Sequence, residues 1–340
     1  MLGPANGVGT DPFVEWSKTV IELRDVGVSY GKTAILNNIN LRIAEGESIA
    51  IVGESGAGKS TLGKLLLGTL KPTSGQYLYQ GEDVAKLRGG ARKIWRRKVQ
   101  AVFQNPTASL NPRLELSRAL TEPLEVVSRL SRSQRRTAAA DLLQTVGLDP
   151  VLADRYPHQI SGGQRQRVVI ARTLGARPET VVLDEPVSAL DVSARAQILN
   201  LLVDLRSSTN ITSIYITHDL ATVGYLCDRL VVLYKGRIVE QLSVQKLTDG
   251  PDHPYTQALL SAVVYPGKSQ QRWVPMANRV PSGSACVFAH ACPFVQPKCV
   301  SEETPLALIG AGWESACHYA GEHKEIGDSG LLAKALSINL

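Results

Sequence analysis

The sequence predicts an α/β fold with a mainly parallel β-sheet and crossover helices, on three observations. Residues 53–61 read Gly-Glu-Ser-Gly-Ala-Gly-Lys-Ser-Thr and lie between a short apolar run at 48–52 and leucines at helical spacing. The apolar run at 181–183 ends in two carboxylates, as expected of a buried parallel strand. Further apolar runs at 213–217 and 229–234 follow a segment with helical periodicity, which is the alternation of a parallel sheet with crossover helices.

The glycine-rich stretch fits the phosphate-binding pattern G-x-x-x-x-G-K-[ST]. Glycines let the backbone wrap around a polyphosphate with its N–H groups pointing inward, and a helix N-terminus adds partial positive charge. Lys59 is expected to reach the β- and γ-phosphates, and the Ser60 hydroxyl is expected to bind Mg²⁺. The predicted nucleotide-binding residues of this loop are Gly53, Ser55, Gly56, Ala57, Gly58, Lys59, Ser60 and Thr61.

Composition sets broad limits on the class of protein. The 340 residues suffice for one large α/β domain with an appendage, and 44% hydrophobic with 20% charged residues is ordinary for a soluble globular chain. The basic clusters at 88–98 and 129–136 are interpreted as solvated helix faces, with contact to a partner or to anionic lipid as the alternative. Aromatic residues are not interleaved with these charges, so no nucleic-acid partner is expected. No apolar run approaches the roughly 20 residues that cross a bilayer, and the first residues contain no charged-then-apolar leader. We therefore expect a cytosolic chain whose membrane contact comes through partners.

The strand end at Asp184 and Glu185 is the second candidate for chemistry. A carboxylate at the C-terminal tip of a buried strand beside a phosphate loop can hold Mg²⁺ directly or through water, and Asp184 fits this position. Glu185 would then face the γ-phosphate and polarise an attacking water. Without the phosphate loop upstream, the same pair would be read equally well as a solvated strand terminus.

A second anion-binding surface is predicted at the start of another helix. Ser161, Gly162, Gly163 and Gln164 open a helix-periodic segment, and a Ser-Gly-Gly helix start exposes backbone N–H groups and a hydroxyl. Two phosphate-binding surfaces in one chain favour a head-to-tail dimer with ATP between the subunits.

These motifs, in this order and spacing, resemble those of the ATP-binding subunits of ABC transporters, over residues 19–265. The resemblance implies a P-loop ABC ATPase with a RecA-like core, an antiparallel β subdomain and a helical subdomain at about 105–178. Residues 1–18 are expected to be a flexible lead-in, and 266–340 a small Cys-rich C-terminal extension. The chain has Ile160 where the family commonly has leucine, a change of little chemical weight.

The resemblance also implies roles for isolated residues. Tyr30 matches the aromatic residue that stacks on adenine; the less favoured alternative is a core tyrosine at a strand end. Gln104 matches the glutamine that touches Mg²⁺ and the attacking water, and His218 matches the switch histidine at the γ-phosphate. Residues 188–191 resemble the loop through which two such ATPase subunits sense each other. No consensus catalytic residue is missing, so a hydrolysing subunit is expected.

The C-terminal part narrows the resemblance. The run at 252–260 resembles a segment of oligopeptide, dipeptide and nickel importer ATPases, and a cysteine tail follows it as C-x5-C-x6-C-x17-C. In those subunits such a tail can hold a [4Fe–4S] cluster, which would make Cys286, Cys292, Cys299 and Cys317 its ligands. Four thiolates also suit tetrahedral Zn²⁺, and the spacing alone does not separate these from no metal. Disulfides are not expected in a cytosolic protein.

The resemblance predicts an ATP- and Mg²⁺-dependent subunit that powers a membrane importer, most plausibly for oligopeptides or dipeptides, at the cytoplasmic face of the membrane. Expected partners are a second, homologous ABC ATPase, two transmembrane permeases and an extracytoplasmic solute-binding protein. A nickel or metal-chelate importer remains the near alternative. The second alternative is a non-transport ABC ATPase. Such proteins usually carry two ATPase cassettes in one chain, whereas this chain has one.

Overall fold

The computed structural model of the chain describes residues 18–125, 130–262 and 285–322. Most of the predicted lead-in and both ends of the predicted extension therefore lie outside the described residues. The strands are β1 (Thr19–Tyr30), β2 (Thr33–Ala44), β3 (Ser48–Val52), β4 (Ser74–Tyr79), β5 (Glu82–Asp83), β6 (Val99–Val102), β7 (Thr180–Asp184), β8 (Thr212–Ile216), β9 (Arg229–Tyr234), β10 (Arg237–Ser243), β11 (Ala307–Gly310) and β12 (Trp313–Ser315). The helices are α1 (Lys59–Leu66), α2 (Gly89–Lys98), α3 (Pro106–Ser109), α4 (Leu116–Glu125), α5 (Arg132–Thr145), α6 (Gly162–Gly175), α7 (Val192–Ser208), α8 (Leu220–Leu226), α9 (Pro254–Ser261) and α10 (Pro297–Ser301).

The strands form two sheets. A four-stranded antiparallel sheet has the order β2-β1-β4-β5, and an eight-stranded sheet has the order β11-β12-β10-β9-β3-β8-β7-β6. Strands β6, β7, β8, β3 and β9 pair in parallel, and β10, β12 and β11 extend the same sheet with antiparallel pairs. The parallel sheet and its crossover helices agree with the alternation that the sequence predicts.

The central strands are apolar on both faces because helices or a second sheet cover each side. On β3, the fully buried Ile49 and Ile51 belong to one core cluster, with Leu62 and Leu65 of α1 and the inner face of the antiparallel sheet. The intervening Ala50 belongs to the other cluster, with α6 and α7. Alternate residues of one strand therefore hold two separate cores together.

The segment between β6 and β7 is mainly helical, with short 3-10 turns at Pro150–Asp154 and Pro157–Gln159. Its helix starts carry local signals: Asn105 caps α3, and Ser131 forms a capping box with Gln134 at α5. None of the helices within the described ranges combines the length and apolar character needed to span a bilayer.

A buried carboxylate, Glu240 on β10, joins three parts of the chain. Its Oε1 accepts hydrogen bonds from the backbone N–H of Asp252 (2.8 Å), from that of His253 (3.1 Å) and from the indole N–H of Trp313 on β12 (2.9 Å). The sheet core, the start of α9 and the C-terminal strand pair are thus tied to one oxygen. Burial raises the pKa of Glu240 to about 7, against the opposing effect of its donors.

We expect the stability of Glu240→Gln relative to wild type to rise as the pH increases from about 5 to 7 and to level off above that. A carboxyl whose pKa is raised from 4.5 to about 7 stabilises the fold fully below pH 4.5, and up to about 3 kcal/mol of this is lost progressively as the pH rises from 4.5 to 7. The amide keeps an acceptor oxygen and cannot ionise. Denaturant unfolding of variant and wild type at each pH measures the difference.

The difference in unfolding free energy between Glu240→Gln and wild type separates the titration of Glu240 from that of its neighbour His253. Burial lowers the pKa of His253 to about 3, so that residue makes stability rise with pH up to about 6.5, equally in both proteins. Glu82→Gln, an exposed change on β5, is the matched control and should give a difference that does not vary with pH. A difference for Glu240→Gln that is constant from pH 5 to 8 would contradict the buried titration.

Candidate nucleotide-binding site

The glycine-rich loop leaves β3 and enters α1 through backbone conformations that favour glycine. Gly58, which precedes the helix, has a φ of 107°, in the left-handed region. A Cβ at Gly53 would lie 2.2 Å from the backbone oxygen of Leu233 on β9, so only glycine fits against that strand. Ser55, Gly56 and Ser60 are exposed at the mouth of the loop, which leaves the predicted phosphate cradle open to a ligand.

Lys59 is held inside this loop. Its ammonium donates to the backbone oxygens of Gly53 (2.6 Å) and Glu54 (2.9 Å). Burial lowers the pKa of Lys59, and the charges of Glu185, Asp184 and Glu54 oppose that shift. The loop therefore carries a cation that interacts electrostatically with both predicted carboxylates, Asp184 and Glu185.

Asp184 ends β7, and Glu185 follows it in a left-handed conformation with a φ of 47°. This conformation is unfavourable for a residue with a Cβ, and it is fixed by a hydrogen bond from the Glu185 N–H to the oxygen of Ile216 (2.9 Å). Burial and the charge of Glu185 raise the pKa of Asp184. Two adjacent carboxylates of this kind are a setting that a divalent cation stabilises.

Three predicted residues meet at Glu185. The amide nitrogen of Gln104 donates to Glu185 Oε2 (3.0 Å), and His218 Nδ1 lies 2.9 Å from Glu185 Oε1. Gln104 follows β6 and His218 follows β8, so each residue comes from the C-terminal end of a different strand. Ligands of open α/β sheets bind at this edge.

The predicted second surface begins α6. Ser161 and Gln164 form a capping box: Ser161 Oγ accepts from the Gln164 N–H (3.2 Å), and Gln164 Oε1 accepts from the Ser161 N–H (2.9 Å). Ser161 and Gly162 are exposed, and a Cβ at Gly163 would lie 3.1 Å from Ala194 of α7. The capping box fixes an exposed helix start.

Two further predicted features lie at the surface. Tyr30, at the end of β1, is 51% exposed. The alternative interpretation of Tyr30 as a core residue is therefore wrong. In the predicted sensing loop, the Ser188 hydroxyl donates to the backbone oxygen of Glu185 (3.1 Å). The Asp191 side chain caps α7 by accepting from the Ala194 N–H (2.9 Å). The loop thus runs directly from Glu185 to a helix start.

Comparison with known proteins agrees with this geometry. The family described as ABC transporter matches residues 36–188, and the oligopeptide/dipeptide transporter C-terminal region matches residues 239–299. The chain is 46% identical to a probable peptide ABC transporter ATP-binding protein of Sinorhizobium fredii, over 83% of this chain and 82% of that protein. It is 39% identical to the oligopeptide transport ATP-binding protein AppF of Bacillus subtilis, over 88% of this chain and 97% of that protein.

The chain belongs to the ABC transporter ATP-binding proteins. Its fold is similar to that of the dimeric ATP-binding cassette MJ0796 bound to ADP and Pi, with a TM-score of 0.59 and 31% identity over 66% of this chain and 98% of that one. The predicted resemblance and the P-loop ABC ATPase fold are thereby confirmed, and the chain is an ATPase.

The loop and carboxylates fit the ATP and Mg²⁺ that an ABC ATPase uses. Gly56 has a φ of 83° and no atom within 4 Å of a would-be Cβ, so the loop keeps an open concavity. Burial and the charge of Glu185 raise the pKa of Asp184. The two adjacent carboxylates are therefore a suitable pair for a divalent cation.

The four predicted cluster cysteines of this ABC ATPase line one small cavity of about 20 Å³, together with Phe288 and His253. Burial, together with the other cysteines, raises the pKa of Cys292 to about 12 and that of Cys317 to about 11. All four are free thiols. Among the described residues, however, no three Cys, His, Asp or Glu side chains are arranged to hold a metal ion. The cysteines are neighbours, but their thiols are not in coordinating positions.

Two polar residues near the nucleotide site of the ABC ATPase were not predicted. The Tyr255 hydroxyl accepts a hydrogen bond from the Glu54 N–H of the phosphate loop (2.8 Å), across 201 residues of sequence. Glu240 anchors the helix that carries Tyr255. The sequence contained no signal for either residue: β10 also carries Arg237, Gln241 and Ser243, so its glutamate does not stand out.

Proposed function

We propose that the chain is the ATP-hydrolysing subunit of a membrane importer for oligopeptides or dipeptides, acting at the cytoplasmic face of the membrane. The observation that carries the chemistry is the group of Gln104, Glu185 and His218, hydrogen-bonded together beside the phosphate loop. The substrate class is supported by the peptide-transport relatives and by the matching C-terminal region.

The proposed roles follow from where the side chains lie. Backbone N–H groups of residues 53–61 and the Lys59 ammonium bind the phosphates, and Tyr30 stacks on adenine. Ser60, Asp184 and Gln104 would hold Mg²⁺, which neutralises charge on the β- and γ-phosphates when bound. Glu185 accepts a proton from the attacking water. Its two oxygens are already oriented by Gln104 and His218, and His218 contacts the γ-phosphate.

A second ATPase subunit completes each site in this proposal. The helix start at Ser161–Gln164, with Ser161 and Gly162 exposed, would face the γ-phosphate bound to the partner subunit. Closure of the two subunits on ATP drives a pair of permeases, hydrolysis reopens the dimer, and a solute-binding protein delivers the peptide. The similar solved cassette is itself dimeric, which supports this arrangement.

The assembly is tested by purifying the tagged chain from its native membrane in mild detergent and identifying what accompanies it. We expect two polytopic permeases, a homologous ATPase and a solute-binding protein whose ligand is a peptide. Uptake of labelled dipeptide should fall to background in the Lys59→Ala strain and remain in a Lys86→Ala strain, in which an exposed lysine is removed. Recovery with ribosomes, or loss of nickel uptake with intact peptide uptake, would contradict the proposal.

We also propose that residues 266–340 form a Cys-rich extension, after the ATPase domain at 19–265 with its helical subdomain at 105–178. The four cysteines of this extension would hold a [4Fe–4S] cluster. The proposal is supported by their shared cavity. Burial raises the pKa of Cys292 and Cys317, so metal binding would have to displace their protons. Binding requires the thiols to move into coordinating positions. The cluster would have a structural or an oxygen-sensing role.

Metal analysis of anaerobically purified protein tests the cluster. We expect brown protein with about four iron and four sulfide per chain, lost in Cys292→Ser. Cys227→Ser is the matched control, because Cys227 is buried in the core and does not line the cysteine cavity. Colourless protein that contains stoichiometric zinc, or no metal, would contradict the proposed cluster.

A further inference from the structure

The first peptide group of the phosphate loop is held from both sides. Its oxygen, on Gly53, accepts from the Lys59 ammonium at 2.6 Å, and its N–H, on Glu54, donates to the Tyr255 hydroxyl at 2.8 Å. A peptide group is planar, so fixing the direction of the N–H also fixes the direction of the carbonyl. The contact from Tyr255 therefore determines where the acceptor of Lys59 points.

No hydrogen bond of the strand ladders orients the Glu54 N–H. The pairing of β3 with β8 ends at Ile51, and the pairing with β9 ends at Val52. Glu54 lies beyond both ladders, in the exposed part of the loop. Tyr255 thus supplies, from a distant helix, an acceptor that the sheet no longer provides.

Tyr255 is a rigid support for this contact. It is fully buried near the start of α9, where its N–H donates to His253 Nδ1 (3.1 Å), and Glu240 accepts from the two preceding N–H groups. Its ring packs against Tyr234 of β9 at 4.4 Å and against Phe288 at 5.5 Å, measured between ring centroids. Both the backbone and the ring of Tyr255 are held, so its hydroxyl has a defined position.

We propose that Tyr255 is a positioning residue for ATP binding, whose hydroxyl orients the Gly53–Glu54 peptide and so prepares the phosphate loop and Lys59 for the phosphates. Tyr255 touches neither nucleotide nor reacting atoms. It reduces the conformational freedom that the loop loses when the phosphates bind. The inference rests on the proposed role of Lys59.

Tyr255→Phe removes the hydroxyl and keeps the ring, and Tyr234→Phe is the matched control. Tyr234 belongs to the same aromatic group, and its hydroxyl pairs with His290 Nε2 (3.3 Å) and not with a backbone group of the loop. Loss of one hydrogen bond of this kind corresponds to about three- to tenfold in affinity. We expect that increase in Kd for MANT-ATP and in KM for ATP with Tyr255→Phe, with kcat within about twofold and Tyr234→Phe like wild type.

The split between KM and kcat distinguishes positioning from a structural role. If Tyr255 only supports the core, Tyr255→Phe and Tyr234→Phe will lower Tm alike and leave Kd within twofold of wild type, which overturns the proposal. A fall in kcat with unchanged Kd and KM overturns it as well. Lys59→Ala distinguishes failure of the proposed role of Lys59 from failure of the inference about Tyr255. If Lys59→Ala keeps wild-type affinity for ATP, the role of Lys59 is wrong. If Lys59→Ala loses affinity and Tyr255→Phe does not, only the inference about Tyr255 is wrong.

Discussion

Replacing Glu185 by Gln is expected to reduce ATP hydrolysis by about 10²- to 10⁴-fold, the usual contribution of a general base. The amide has nearly the same shape as the carboxylate and can still meet Gln104 and His218, which lie 3.0 and 2.9 Å from the two carboxylate oxygens. It cannot take a proton from water. ATP binding is therefore retained, and the ATP-bound subunits accumulate as a closed dimer.

Steady-state phosphate release measures the loss of turnover, and size-exclusion chromatography with light scattering measures the dimer in the presence of ATP and Mg²⁺. Glu45→Gln is the control, because Glu45 is an exposed carboxylate in the turn before β3. The control should keep both the rate and the monomer–dimer behaviour of wild type. An ATPase rate near normal in Glu185→Gln would reject Glu185 as the base.

Lys59→Ala is expected to weaken ATP binding by about tenfold to more than a hundredfold, which is the range for losing a charged hydrogen-bond donor to a partly buried anion. Lys59 is the cation that the loop carbonyls of Gly53 and Glu54 hold beside the predicted carboxylates. Without it, the phosphates keep only the backbone N–H groups.

Equilibrium titration with a fluorescent ATP analogue, with unlabelled ATP as competitor, measures this loss. Lys86→Ala provides a control, because Lys86 is an exposed lysine after β5 that pairs with Asp83 (3.7 Å), and this variant should bind ATP as wild type does. If both variants lose affinity equally, the effect is a general one of removing positive charge, and the specific role of Lys59 is wrong.

Much of the candidate site was predictable because its residues stand at strand ends that local patterns identify. The apolar runs before Gly53, Asp184 and His218 mark parallel strands, and the carboxyl ends of parallel strands meet at one edge of the sheet. The helix start at Ser161 was equally visible, since a Ser-x-x-Gln capping box is a local signal. The arrangement of the cysteine thiols was not predictable from their spacing, because spacing along a chain does not fix the direction of a side chain.

The phosphate loop, the family and the order of the site residues are each encoded within a few neighbouring positions, so local patterns were enough to find them. Which of these residues touch depends on the folded arrangement. Gln104 and His218 meet Glu185 across 81 and 33 residues, and Tyr255 reaches Glu54 across 201. These contacts depend on the order of strands in the sheet and on a buried carboxylate, Glu240, that fixes α9. Both are products of packing between distant segments, on which local periodicity carries no information.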